Sequence, residues 1–321
     1  MAEYVVRTTE TVPLGHSGSC AAVEVPSDVP ELPDITIYCE ALARRVVGRV
    51  LQHVVIANPF VLRSVAPPLS EFAGTTVTGI ERLGKRLVFA FERERYLVIH
   101  LMIAGRLRWL APGKKPPGRI SLAHFEFDNG TVVLTEAGSK RRASLIAVDG
   151  RAQLQQIDRG GLDVFASTDA ELIARLRSEN HTLKRSLTDP RMLDGIGNSY
   201  SDEILHAARM SPLALTSKLT DDDYARLISA IRRTLTTWTE RLRNEIGEGW
   251  PETVTAFRPE MAVHGRFGEP CPVCGSPVQR IRYAENETNY CARCQTNGRL
   301  LADRAMSRLL KSDWPRSLDE L

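Results

Sequence analysis

Four cysteines in two pairs constrain this chain more than any other feature. Cys271-Pro-Val-Cys274 and Cys291-Ala-Arg-Cys294 are separated by sixteen residues, a spacing at which two tight knuckles bring four thiolates onto one tetrahedral Zn²⁺. Gly275 supplies the turn after the first knuckle, and Val278–Tyr283 with Asn289–Cys291 reads as a hairpin between the pairs. Four sulfurs leave no coordination position for water, so the expected cofactor is a single structural zinc and the chemistry must come from elsewhere. Met1 to Arg7 lack the basic stretch and apolar core of a secretory signal. In a reducing compartment such a cluster reads as metal ligands before disulfides. Cys39 lies in a helical apolar pattern and reads as core. A zinc ribbon alone fits DNA, RNA and protein binders equally.

The rest of the chain divides by periodicity. At 321 residues, two domains are expected. Residues 1–29 show no sustained period and read as a disordered or misassigned extension. Ile35, Tyr38, Leu42 and Val46 recur at helical spacing from Asp34 to Val47, and six strand-like runs follow. These are Val77–Leu83, Leu87–Phe91, Tyr96–Leu101, Leu122–Phe127, Val132–Leu134 and Leu145–Val148, with a turn at Asp128-Asn129-Gly130. Residues 30–150 are therefore expected to be a helix followed by a β-sandwich or barrel, and 151–167 a linker. Residues 168–260 read as helical: Thr168 and Glu171 form a capping box, a helix covers His181–Thr188, and Asn198 caps another to about Ala208. Thr220 caps a long helix with a core stripe from Tyr224 to Ile246. Residues 261–299 hold the zinc ribbon and 300–321 a helical tail. The fold class is thus α+β and multidomain.

The net charge is only +3, but it is uneven. Residues 1–29 carry one basic side chain, Arg7, against four acids; residues 82–119 carry ten Lys/Arg against Glu92 and Glu94. That bias suits a phosphate backbone, although on charge alone a solvated charged face is the preferred reading. No apolar run approaches the ~18 residues of a membrane span.

Three segments together carry a resemblance. Pro30-Glu31-Leu32-Pro33-Asp34 resembles the N-terminal signature of the formamidopyrimidine-DNA glycosylase/endonuclease VIII family. Asp189 to Leu205, with Gly195-Ile196-Gly197-Asn198, resembles its helix–two-turn–helix motif, and Val263-His264-Gly265-Arg266 before the cysteines resembles its zinc finger. The resemblance covers roughly residues 30–295, and for residues 30–150 it implies the β-sandwich with an N-terminal helix. It implies a base-excision DNA glycosylase with abasic-site lyase activity on oxidised or alkylated bases, acting as a monomer in the bacterial cytoplasm, at the nucleoid. Its partner would be double-stranded DNA containing damaged bases or abasic sites, with the damaged nucleotide flipped out between the domains. By this resemblance Pro30 is the nucleophile, Glu31 handles the proton of the ring-opening sugar oxygen, and Lys85 contacts phosphate and lesion. DNA contacts are implied at Asn198, Gly197, Arg141, Ile103, Arg266 and Lys184.

The chain also departs from the family pattern. Asp34 stands where a glutamate is usual, which leaves helix capping as its alternative role. Ile103 falls at the wedge methionine with Met102 beside it, and Ala143 replaces a phenylalanine while Arg141 keeps an arginine. Asn286 replaces a phosphate-binding arginine, with Arg282 or Arg293 as nearby substitutes, and the segment before Phe257 is shorter than the purine-covering loop. Pro30 follows Val29 through an amide, which removes the basic lone pair that a Schiff base needs. Three readings follow: translation starts at codon 29, the extension is cleaved, or the chain is a catalytically inactive damaged-DNA-binding relative. The first is preferred for the acidic, aperiodic character of residues 1–29.

Overall fold

The computed structural model describes residues 29–137, 141–252, 258–283, 286–302 and 316–320. The extension before Val29, Lys140, the segment before Phe257, the Asn286 side chain and most of the expected tail lie outside the described residues.

Helix α1 spans Leu32–Val46 and starts two residues earlier than the periodicity indicates. Pro33 fits the first turn, and Asp34 Oδ2 accepts from the Glu31 amide at 3.0 Å, capping the helix. Its inner face, Ile35, Tyr38, Leu42 and Val46, is fully buried in the core of two four-stranded antiparallel sheets. One sheet contains β1 (His53–Ile56), β5 (Gly105–Leu110), β6 (Ser121–Phe127) and β7 (Gly130–Glu136) in the order β1-β6-β7-β5. The other contains β2 (Val77–Leu83), β3 (Arg86–Phe91), β4 (Arg95–His100) and β8 (Ser144–Asp149) in sequence order. Inward residues such as Phe89, Leu97, Phe125 and Leu134 fill the space between them. The two strands absent from the sequence reading, β1 and β5, are the edges of the first sheet. Edge strands bury less of one face, so β1 alternates only between exposed and half-buried and β5 carries Arg106 and Arg108.

The stretch read as a linker contains a helix, α2 (Arg151–Ile157). Only Leu154 of α2 is buried, too thin an apolar stripe to register as amphipathic. Beyond it lie α3 (Asp169–Arg177), α4 (Leu183–Thr188), α5 (Asn198–Ala207) and α6 (Asp221–Ile246), the third of these following the two turns. Thr168 and Thr220 form capping boxes with Glu171 and Asp223. Asn198 is not the N-cap of α5; Gly197 occupies that position, because the capping acceptor arrives from another part of the chain. Leu32 belongs to the helical core with Val164, Leu193 and Tyr200, and its amide donates to Gly195 carbonyl at 2.9 Å. Arg243 on α6 pairs with both oxygens of Glu40 on α1, at 2.7 and 3.0 Å. Strands β9 (Val278–Tyr283) and β10 (Asn286–Cys291) and the short α7 (Ala292–Thr296) complete the cysteine finger. None of the described helices is long and apolar enough to cross a membrane.

Candidate active site and metal centre

The acceptor that caps α5 is Glu31. Its carboxylate is 1 % exposed. Oε2 accepts from the amides of Gly197 at 2.5 Å and Tyr200 at 3.3 Å, and Oε1 accepts from Ser199 at 2.8 Å. A buried carboxylate is tolerated here because it takes three otherwise unsatisfied helix-start amides at the positive end of the helix dipole. Pro30, immediately before it, is buried, and Val29 is half-buried.

Lys85 reaches the same point from the β2–β3 hairpin. A methyl group on Gly197 would collide with Lys85 Nζ and lie 2.5 Å from the Glu31 carboxyl carbon. The three residues converge so closely that any side chain at position 197 must displace Lys85 or the Glu31 carboxylate. Gly197→Ala is expected to lower stability by about 1–3 kcal/mol through overpacking; an unchanged denaturant midpoint would contradict this packing. The hairpin is itself anchored to the two-turn segment. Asp194 Oδ2 accepts from Arg82 Nη1 at 2.8 Å and from the Gly84 amide at 3.1 Å, with Gly84 in the left-handed region at φ +64.

In front of this junction lies a cavity of about 310 Å³, lined by Val29, Lys85, Arg86, His100, Met102 and Arg159, among others. Burial, aided by the Arg86, Lys85 and Arg159 charges, pushes His100 down to about 4, so it is neutral at pH 7. Between pH 6.5 and 4 the unfolded chain binds a proton that the folded chain refuses, and stability falls as pH falls through that window. His100→Gln should flatten this part of the acid slope; equal slopes for the two proteins in denaturation between about pH 7 and 5 would contradict the assignment. Burial likewise pushes Asp34 up to about 6 against the pull of the Glu31 amide and Arg258. Arg258 stands 3.6 Å away. Asp34 thus acts on the helix start and on Glu31's backbone, the capping role.

The remaining sequence-predicted positions are not equally disposed toward the cleft. Asn198 is the first residue of α5, and its carbonyl accepts from Lys184 Nζ at 2.7 Å. Lys184 also pairs with Asp202 at 2.5 Å and is 13 % exposed. Its ammonium thus has two oxygen partners inside the protein. Arg266 is held by Glu269 at 2.8 Å and Met261 carbonyl at 3.0 Å, a local brace. Arg141 is exposed and donates to Arg119 carbonyl at 2.8 Å. Ile103 is half-buried, while Met102 lines the cavity in a left-handed conformation, φ +53. Ala143 is buried, its amide bound by Glu136 at 3.1 Å, and offers nothing to stack on a base.

Sequence reasoning missed Asp202 and Glu203. Asp202 accepts from Lys184, His264 and the Asn289 amide; Glu203 accepts from the amides of Ala262, Val263 and His264. The available signal was two adjacent acids on a helix rich in apolar residues, Tyr200, Ile204 and Leu205.

The four cysteine sulfurs lie within 4.8 Å of one another, with Cys271–Cys294 at 3.9 Å and Cys274–Cys291 at 3.4 Å. A tetrahedral zinc with ~2.3 Å bonds separates its sulfurs by about 3.8 Å, so the tetrad fits. Cys274 and Cys294 share a hollow with Arg209, Arg226 and Arg293, whose charges offset those of metal-bound thiolates.

The two lobes meet at a cleft lined by Lys85, Arg86 and Arg159 together with Asp158 and Asp194, one lobe supplying helix amides and the other the carboxylate they hold. Matches to known families agree with this division: formamidopyrimidine-DNA glycosylase N-terminal domain over residues 29–144, its H2TH domain over 163–246, and the zinc finger found in FPG and IleRS over 268–297. The formamidopyrimidine-DNA glycosylase of Symbiobacterium thermophilum is 30% identical over 276 residues, 83% of this chain and 89% of the relative. An uncharacterized formamidopyrimidine-DNA glycosylase-like protein of Mycobacterium tuberculosis is 40% identical over 162 residues, 50% of this chain and 99% of its own. Among solved structures, the MutM (FPG) protein from Thermus thermophilus superimposes with a TM-score of 0.70 at 28% identity, covering 83% of this chain and 98% of that one. Lactococcus lactis Fpg in complex with abasic-site DNA gives 0.72 at 22% identity, covering 83% and 99%. The chain belongs to the formamidopyrimidine-DNA glycosylase family.

Proposed function

We propose that this protein excises oxidised or alkylated bases from double-stranded DNA and cuts the strand at the resulting abasic site, with Pro30 as nucleophile. The observation that carries the reading is the meeting of Glu31 and Lys85 at the start of α5, with Pro30 the residue directly before Glu31. A free proline amine, with an ordinary pKa of ~8, keeps a neutral fraction near pH 7. It attacks C1′ of the sugar while the damaged base departs with the glycosidic electron pair. Glu31 takes the proton that the Pro30 nitrogen sheds after attack and passes it to the ring oxygen as the C1′–O4′ bond opens, leaving an iminium on Pro30. Loss of the C2′ proton then expels the 3′ phosphate, and δ-elimination expels the 5′ phosphate. Lys85 supplies the charge that holds phosphate beside the lesion, and the backbone around Gly197 and Asn198 approaches the strand closely. One structural zinc on Cys271, Cys274, Cys291 and Cys294 fixes the finger; the protein acts as a monomer.

The chemistry requires Pro30 to be the first residue of the mature polypeptide, through a start at codon 29 or removal of the extension. A second reading, a damaged-DNA binder without catalysis, is favoured by one observation. Val29, when attached, lines the cavity that the lesion must enter and blocks the nitrogen as an amide.

The test is a panel of duplex oligonucleotides carrying a formamidopyrimidine, an oxidised pyrimidine, an alkylated purine or an abasic site. Protein beginning at Pro30 should release at least one base and cut the abasic strand. Binding without any product supports the second reading.

A further inference from the structure

We propose that His206 is a positioning residue of the metal centre and that α5 transmits metal occupancy to the amides that hold Glu31. The inference rests on the zinc reading above and extends it to side chains outside the cysteine tetrad. One ten-residue helix, ~15 Å long, touches both places. At its start, the amides of Gly197, Ser199 and Tyr200 grip Glu31. One turn later, buried Asp202 accepts from the Asn289 amide at 3.0 Å, two residues before Cys291, and from His264 Nδ1 at 2.8 Å. Glu203 accepts from three successive amides, 262 to 264, at 2.7 to 3.0 Å. At the last turn, buried His206 places Nε2 3.3 Å from Cys271 Sγ. Just beyond the helix, Gln295 of the finger donates to Met210 carbonyl at 2.8 Å.

With its proton on Nε2, His206 donates to the sulfur. A donor to a metal-bound thiolate spreads its negative charge and fixes its direction, and losing such a partner typically weakens metal binding about 10–100-fold. The finger is also the partner of two buried carboxylates. If it loosens without its metal, Glu203 loses its three amide donors and Asp202 keeps only Lys184, and α5 must shift or fray to rehydrate them. The amides around Glu31 belong to that same helix, so they move with it.

The full chain is first assayed for zinc by atomic emission; a metal-free native protein would defeat the zinc reading itself. On zinc-loaded protein, release to a colorimetric chelator is timed for wild type, His206→Leu and His206→Gln. Leucine should speed release at least tenfold, whereas glutamine, which keeps a donor, should stay within threefold. Phenylalanine, which keeps the ring volume, serves in place of leucine should that variant not fold. Hydrogen exchange on the wild type is then compared with and without metal. The segment 197–205 should lose at least tenfold of its protection when zinc is removed. Wild-type release rates without the donor would overturn the role of His206. Unchanged protection of 197–205 in the metal-free protein would overturn the coupling, with the zinc reading intact.

Discussion

Protein beginning at Pro30 should nick abasic duplex DNA at least about 10³-fold faster than protein beginning at Met1, because closing a covalent route removes most of an enzyme's advantage. Two independent effects act in the same direction. An acylated proline nitrogen has no lone pair for C1′. The preceding residue also takes up space: Val29 lines the 310 Å³ cavity with Lys85 and His100. The long form should therefore also bind an abasic analogue more weakly. Gel-based strand cleavage and fluorescence anisotropy measure the two effects separately. Equal nicking by both forms would show that the amine of Pro30 is not the nucleophile.

Glu31→Gln should reduce excision by about 10²–10⁴-fold, the usual range for removing a general acid or base, while affinity for an abasic-analogue duplex stays within a few-fold. The structure adds a second consequence. Both oxygens of Glu31 already accept backbone N–H groups, from Gly197, Tyr200 and Ser199. A glutamine must turn its NH₂ toward at least one of these donors, leaving two donors opposed in a buried site. That conflict should cost about 1–3 kcal/mol of stability, read as a lowered denaturant midpoint. An unchanged midpoint would mean that the carboxylate is not held by the helix as described. Unchanged excision would remove Glu31 from the chemistry.

Much of this architecture was legible in the sequence, for physical reasons that differ by element. The long helix α6 announced itself because Thr220 and Asp223 cap it and its stripe from Tyr224 to Leu242 is continuous core. The finger was legible because four thiolates at that spacing have few other uses. The Gly195–Asn198 turn was visible through its glycines, one of them at φ +79. What stayed hidden depended on contacts across the fold. Strands β1 and β5 are sheet edges whose apolar pattern is diluted by solvent-facing positions. Asn198 has the composition of a cap, yet Glu31, 168 residues away from Ser199 in the chain, does the capping. The ion pair of Lys184 with Asp202 on the next helix had no mark in the sequence. Local residue types cannot reveal a partner that only tertiary folding brings near.

The most direct test of the account is where DNA becomes attached. Protein starting at Pro30, incubated with abasic duplex and reduced with borohydride, should carry the sugar remnant on its N-terminal peptide, with the added mass on Pro30 nitrogen. Attachment at Lys85 or at any other lysine, with Pro30 unmodified, would contradict the proposed chemistry.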